Sequence, residues 1–176
     1  MNIHCFTPQD GVPMGTRSGA LDPTVPSYLM KTFGYTPEEV ESILNNKSGL
    51  LGVSGLSSDC LKVLIAANEG NERCKLAMNI LYHHIKKIVG SYIAEMNGVD
   101  VIVFTAGVGE NDKIVRENIC RDLEWLGIEM DKAANDASER GEFADITKEG
   151  ARVKLLVIPT DEEMMIAKET ARLAAK

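Results

Sequence analysis

From Val99 to Phe104 the chain reads Val-Asp-Val-Ile-Val-Phe, a β-branched and aromatic run that ends at Thr105-Ala106-Gly107. A short apolar stretch closed by a turn predicts a buried parallel strand. Asp112 then stands where it can cap a helix running from about Lys113 to Leu126. A second apolar run, Val153-Lys-Leu-Leu-Val-Ile158, passes through Pro159-Thr160-Asp161-Glu162-Glu163 into a last helix, Met164 to Ala175. The order strand, turn, helix start therefore occurs twice. In open α/β sheets, ligands usually bind at such carboxyl-terminal strand ends.

The rest of the pattern is mainly helical. Between Asn71 and Met96, apolar residues recur at Leu76, Ile80, Leu81, Ile85, Ile88, Val89, Tyr92, Ile93 and Met96, which predicts one long amphipathic helix ending before Gly98. His83 and His84 lie on it about 100° apart around the axis, a poor arrangement for joint metal ligation. Thr36-Pro37-Glu38-Glu39 carries a capping threonine, a first-turn proline and the glutamate of a capping box, and the helix it opens ends near Asn45-Asn46. Asp22-Pro23 opens another helix, with Tyr28, Leu29 and Phe33 on one face, and Ser57-Ser58-Asp59 caps a helix from Cys60 to about Asn68. Lys47 to Gly55 is an apolar run broken by glycines, expected as a short strand or a tight packing segment. Trp125 to Met130 reads as a further short strand, and the polar, acidic stretch from Asp131 to Gly150 as a surface excursion.

Composition narrows the classes. A chain of 176 residues suffices for one full domain with a sizeable core. The net charge of −7 disfavours a general binder of nucleic acid or anionic membranes, because both need a basic face. Cys5, Cys60, Cys74 and Cys120 have neither zinc-site spacing nor a nearby histidine cluster, so reduced thiols in a soluble, cytoplasmic protein are expected. The amino-terminal residues carry no signal-peptide pattern, and no stretch of about 18 apolar residues occurs.

Three places carry candidate chemistry. Gly107 and Gly109 bracket a turn whose backbone can approach a ligand, although Glu110 and Asp112 argue against a bare phosphate cradle; structural punctuation is the competing reading. In Met14-Gly-Thr-Arg-Ser-Gly19, small neighbours let the Arg17 guanidinium reach a ligand beside tightly folded backbone, the alternative being a surface arginine on a turn. Glu162 reads first as a favourable charge at a helix N-terminus, the competing reading being a ligand of a phosphate-bound magnesium ion.

Taken together and in this order, Phe6-Thr-Pro, Met14-Gly-Thr-Arg-Ser-Gly19, Lys47 to Gly55, Ser57-Ser-Asp59, Val103-Phe-Thr-Ala-Gly-Val-Gly-Glu-Asn111 and Val157-Ile-Pro-Thr-Asp-Glu-Glu163 resemble the acetate kinases. The resemblance spans nearly the whole chain but only the carboxyl-terminal half of a family chain roughly twice as long, built from two actin-like ATPase domains. It implies an α/β, ribonuclease H-like fold with a mixed sheet flanked by helices. It also implies a carboxyl-terminal nucleotide-binding domain over residues 1–176, without its amino-terminal partner domain. The implied reaction is reversible transfer of the ATP γ-phosphoryl group to acetate, giving acetyl phosphate and ADP, with magnesium as cofactor and a cytoplasmic homodimer as the assembly.

The same resemblance assigns roles. Arg17 matches the arginine that steadies the transferring phosphoryl group, and Glu162 a residue that helps to hold magnesium. Gly107, Val108, Gly109, Glu110 and Asn111 match the nucleotide-contacting loop, and Asp59, Cys60 and Leu61 a segment beside adenine. Leu61 stands where many members have arginine, removing a stacking or hydrogen-bonding partner for the base, and Asp161 replaces a common asparagine. The amino-terminal half of the family's chain supplies further phosphate-binding and reacting groups, so this chain alone is expected to have little or no kinase activity. The competing expectations are a non-catalytic nucleotide-binding or dimerisation module, and half of a propionate or butyrate kinase.

Overall fold

A computed structural model describes residues 9–174; Cys5, the Phe6-Thr-Pro stretch and Ala175 lie outside the described residues. Where length alone suggested one body, the chain divides into two compact units, Met1–Met96 and Asn97–Lys176.

The first unit is helical: α1 (Val25–Phe33), α2 (Pro37–Asn46), α3 (Gly49–Ser54), α4 (Cys60–Asn68) and α5 (Glu72–Glu95). Its helix starts follow from local chemistry. The Thr36 hydroxyl accepts the Glu39 amide at 3.2 Å while the Glu39 carboxylate accepts the Thr36 amide at 2.8 Å, a closed capping box. The Asp59 carboxylate accepts the Lys62 amide at 3.0 Å, and the Asn71 side chain accepts the Cys74 amide at 3.1 Å.

Helices α3 and α4 both pack on α5. Leu50, Val63, Leu64 and Ala67 are buried there, together with Cys74, Ala77, Met78, Leu81 and Tyr82 of α5. The inward stripe in the first half of α5 is thus set by 74, 77, 78 and 81, and Leu76, expected to face inward, is exposed. Small residues let α3 and α4 come close, which a search for large apolar residues overlooks.

Lys47 to Gly55 contains a helix and no strand, a correction with a clear cause. Gly49 has φ +59, and a methyl group there would overlap the carbonyl oxygen of Met14, so the segment turns sharply into α3 beneath the residues preceding Arg17. The reading of this stretch as a tight packing segment is the one the structure supports.

The second unit contains β1 (Val101–Phe104), α6 (Ala106–Asn111), α7 (Lys113–Cys120), a 3-10 turn (Glu124–Leu126), α8 (Lys132–Ala137), β2 (Ala144–Asp145), β3 (Lys154–Val157) and α9 (Glu162–Ala174). Its sheet is mixed, ordered β1-β3-β2. β1 and β3 are parallel, with Val101 opposite Lys154 and Phe104 opposite Val157, whereas β2 runs antiparallel to β3. Val153, Leu155, Val157, Ile128 and Ile146 form a buried centre around β3.

Four expectations change here. The helix after Asp112 stops at Cys120, because Arg121 leaves helical backbone at ψ 139 and Asp122 follows at φ +63; only a 3-10 turn resumes at Glu124. Trp125 to Met130 makes no strand: Trp125 is exposed, and Met130 contributes a single bridge to Thr147. The Asp131 to Gly150 excursion is structural, with α8 capped by Asp131, Asn135 and Ile146 fully buried, and β2 paired to β3. β1 is buried on one side only, since Val101 and Val103 are 45% and 46% exposed while Phe104 is buried.

Candidate functional site

In the first unit the Arg17 loop is held by backbone rather than side chains. The Ser18 amide donates to Leu44, the Ser48 amide to Thr16, the Leu50 amide to Met14 and the Leu51 amide to Gly15, all at 2.9 Å. A methyl group on Gly15 would come within 2.6 Å of the Ser58 carbonyl oxygen, so the loop also lies against the Ser57-Ser58 turn. Three separate sequence motifs therefore converge, Met14–Gly19, Lys47–Gly55 and Ser57–Asp59, each contributing close backbone approach. The half-buried Arg17 guanidinium lies 3.7 Å from the Met14 sulfur, a weak acceptor, and its charge can serve an anionic ligand.

Asp59 has a local task, capping α4, and Cys60 opens that helix half-buried. Leu61 is 61% exposed on its first turn, an apolar side chain facing solvent where a polar contact to a base would need a donor.

In the second unit the parallel register brings both strand ends to one level. Phe104 and Val157 are partners, and the Ile158 amide donates to the Phe104 carbonyl at 2.9 Å, so the segments after β1 and β3 leave side by side. The expected glycine loop is the short helix α6, entered through Ala106 at φ +57. Gly109 lies close against the strand end, since a methyl there would sit 3.3 Å from the Phe104 carbonyl carbon; at Gly107 it would meet nothing within 4 Å. Of the two glycines, Gly107 leaves its backbone open to a ligand. The Asn111 side chain donates to the Gly107 carbonyl at 2.8 Å and Val108 is exposed, so α6 presents its first turn outward.

Glu110 joins the two strand ends. Its carboxylate accepts the Thr160 amide at 2.7 Å and the Thr160 hydroxyl at 2.6 Å, and these bonds hold it below the usual carboxylate range. One residue further, the Asp161 carboxylate accepts the Met164 amide at 2.9 Å and starts α9, leaving Glu162 exposed on the first turn. Among the described residues no group of three or more His, Cys, Asp or Glu side chains is placed to hold a metal ion, so Glu162 stands here as a single exposed carboxylate.

Sequence reasoning did not single out the buried residues behind this surface. Arg116 of α7 is fully buried, donating to the carbonyls of Gly109 and Glu110, the Asn135 side-chain oxygen and the Ser138 hydroxyl, each at 2.8 Å. Burial lowers its pKa from the ordinary guanidinium value, while the Asp112 charge acts in the opposite direction. A signal existed: Arg116 shares the helical i, i+3, i+4 face of Ile119 and Cys120.

The second unit is thus an α/β unit whose parallel strand ends bring a glycine turn and an acidic helix start side by side. The crystal structure of Porphyromonas gingivalis acetate kinase matches with a TM-score of 0.88 and 47% identity over 96% of this chain, and that of a propionate kinase from Francisella tularensis with 0.85 and 40% over 93%. The chain belongs to the acetokinase family, whose model matches residues 3–168. It is 53% identical over 171 residues to acetate kinase 2 of Clostridium perfringens and 50% identical over 168 residues to the acetate kinase of Moorella thermoacetica. These alignments cover 97% and 96% of this chain but 42% of each relative, so the chain spans less than half the length of the proteins it matches.

Proposed function

We propose that this chain is the carboxyl-terminal, nucleotide-binding part of an acetate kinase, transferring the ATP γ-phosphoryl group to acetate and back when joined to the rest of the family's machinery. The observation that carries the proposal is the pairing of Phe104 with Val157. It delivers the Gly107–Asn111 turn and the Thr160–Glu162 turn together, and Glu110 ties them.

In this reading Gly107, Val108, Gly109 and Asn111 are nucleotide-contacting residues of the second unit, with Glu110 shaping their turn; Asp59, Cys60 and Leu61 of the first unit keep the adenine role that the family resemblance implies. Glu162 is the residue that would hold magnesium, as the family resemblance implies. The ion, when bound, neutralises charge on the phosphate oxygens. Arg17 steadies the transferring phosphoryl group, a role that needs a charged donor on rigid backbone. None of these residues supplies a complete clamp, so the chain alone binds nucleotide without appreciable turnover. By the family resemblance the working protein is a cytoplasmic homodimer. Likeness to a propionate kinase structure keeps a longer acyl acceptor as a second reading.

Calorimetric titration of the purified chain with ADP and magnesium, beside an acetyl phosphate assay, tests the proposal. Saturable binding that weakens in Arg17→Ala and Glu162→Ala, without turnover, is expected. Turnover by the chain alone would overturn the need for further machinery. A dimer with no nucleotide affinity would favour a non-catalytic dimerisation module.

A further inference from the structure

The feature of the second unit that the proposed function leaves unused is the buried arginine behind the nucleotide turn. Placing a guanidinium out of reach of water is costly, and chains tolerate it where every donor finds an acceptor. Arg116 comes close to that condition with neutral acceptors alone: each of its three nitrogens has a partner, and four of its five N–H groups are accepted. Nη1 divides between the Gly109 and Glu110 carbonyls, Nε reaches Asn135 Oδ1, and Nη2 reaches Ser138 Oγ. The acceptors are themselves fixed. The fully buried Asn135 side chain donates to the Lys113 carbonyl at 3.0 Å, and the Ser138 hydroxyl donates to the Asn135 carbonyl at 2.8 Å.

The two carbonyls on Nη1 belong to the last turn of α6, where helical carbonyls lack partners within the helix and a cation is favourable. A six-residue helix entered through Ala106 at φ +57 has little stability of its own. Its position depends on what grips its far end, and that grip is Arg116. From Glu110 the hold extends outward, because the residue whose carbonyl meets Arg116 sends its carboxylate to Thr160.

We infer that Arg116 is a positioning residue for the nucleotide site: held by Asn135 and Ser138, it fixes the α6 turn in the shape that receives the nucleotide and, through Glu110, aligns the turn carrying Glu162. The inference rests on the nucleotide-binding reading above. It also gives α8 and Ser138, in a stretch that reads as surface in the sequence, a part in ligand binding without contact.

The test uses the full chain with Arg116→Lys and, as a milder change if the first folds poorly, Ser138→Ala. Hydrogen exchange is followed across the chain, thermal midpoints are recorded, and ADP is titrated in the presence of magnesium at a temperature where every variant is folded. Arg116→Lys is expected to weaken ADP binding about tenfold, with Ser138→Ala weakening it less, and faster exchange should concentrate at residues 106–112 and 160–162. A lower midpoint with ADP affinity and turn exchange unchanged in the folded variants would overturn the positioning role and leave Arg116 purely structural. Failure of the unsubstituted chain to bind ADP would overturn the nucleotide reading itself, and the positioning role with it.

Discussion

Glu110 and Thr160 are fifty residues apart in sequence and share two hydrogen bonds, one from the Thr160 amide at 2.7 Å and one from its hydroxyl at 2.6 Å, both ending on the same carboxylate oxygen. The turn after one parallel strand is thereby fastened to the turn after its neighbour. Glu110 is committed to this link, which holds the turn of Gly107 beside the turn that leads to Glu162.

The link depends on charge. Both bonds favour the ionised carboxylate, and Glu110 titrates below its ordinary value of 4.5. A depressed carboxylate contributes fully above the unfolded value and loses its contribution as pH falls through the folded one. Exchange at the Thr160 amide should therefore be steady from neutral pH to about 5 and rise, relative to its intrinsic rate, as pH falls below the unfolded value. Glu110→Ala should abolish this dependence. Thr160→Val should weaken the link less, because the amide donor survives.

Ala106 occupies the left-handed region at φ +57, where a side chain crowds its own backbone. Ala106→Gly should relieve about 1 kcal/mol of that strain and raise the thermal midpoint by roughly 3 °C. Gly109→Ala should do the reverse, since the new methyl would press on Phe104. Calorimetric scans of the two variants side by side would check the opposed signs.

Gly49 is the most demanding glycine in the first unit, combining φ +59 with backbone contact to Met14. Gly49→Ala must both adopt a disfavoured conformation and push the Arg17 loop away, a loss of about 3 kcal/mol or more. Denaturant unfolding followed by circular dichroism should show the helical signal of the first unit melting early.

Asp145 supplies a second pH marker. Thr147, through its hydroxyl and its amide at 2.9 Å, and then Lys154 at 3.1 Å, bring its carboxyl down from 3.8 to about 2. Its support for the β2–β3 pairing is complete above pH 3.8 and disappears as pH falls from there through about 2. Carboxyl titration by NMR would read the value directly. Lys154→Met should raise it modestly, and high salt should mimic part of the change because the pair is exposed.

Elements whose cause is local could be read from the sequence alone. Thr36 with Glu39, Asp59 before Cys60, Asn71 before α5 and the run at 153–158 each state their structure within a few residues. Other features arise from partners distant in the chain. Gly49 turns where it does because of Met14, and Asn135 is buried because Arg116 and Lys113 need it. The order of the motifs led to Arg17, Gly107 and Glu162. Arg116, bonded to the end of the Gly107 turn, looks like one more surface cation until its face of α7 is counted against the core.

The half-exposed strand β1 has a practical consequence for handling the protein. Among the described residues it closes one side of the sheet, leaving main-chain donors and acceptors beside the exposed Val101 and Val103. An edge of that kind is a template on which further chains can add, without fixed stoichiometry and increasingly at high concentration. Light scattering across a dilution series would separate such growth from a defined dimer, which stops at two. A lysine at 103 would act as a gatekeeper, suppressing the growth and leaving the turn beyond Phe104 in place.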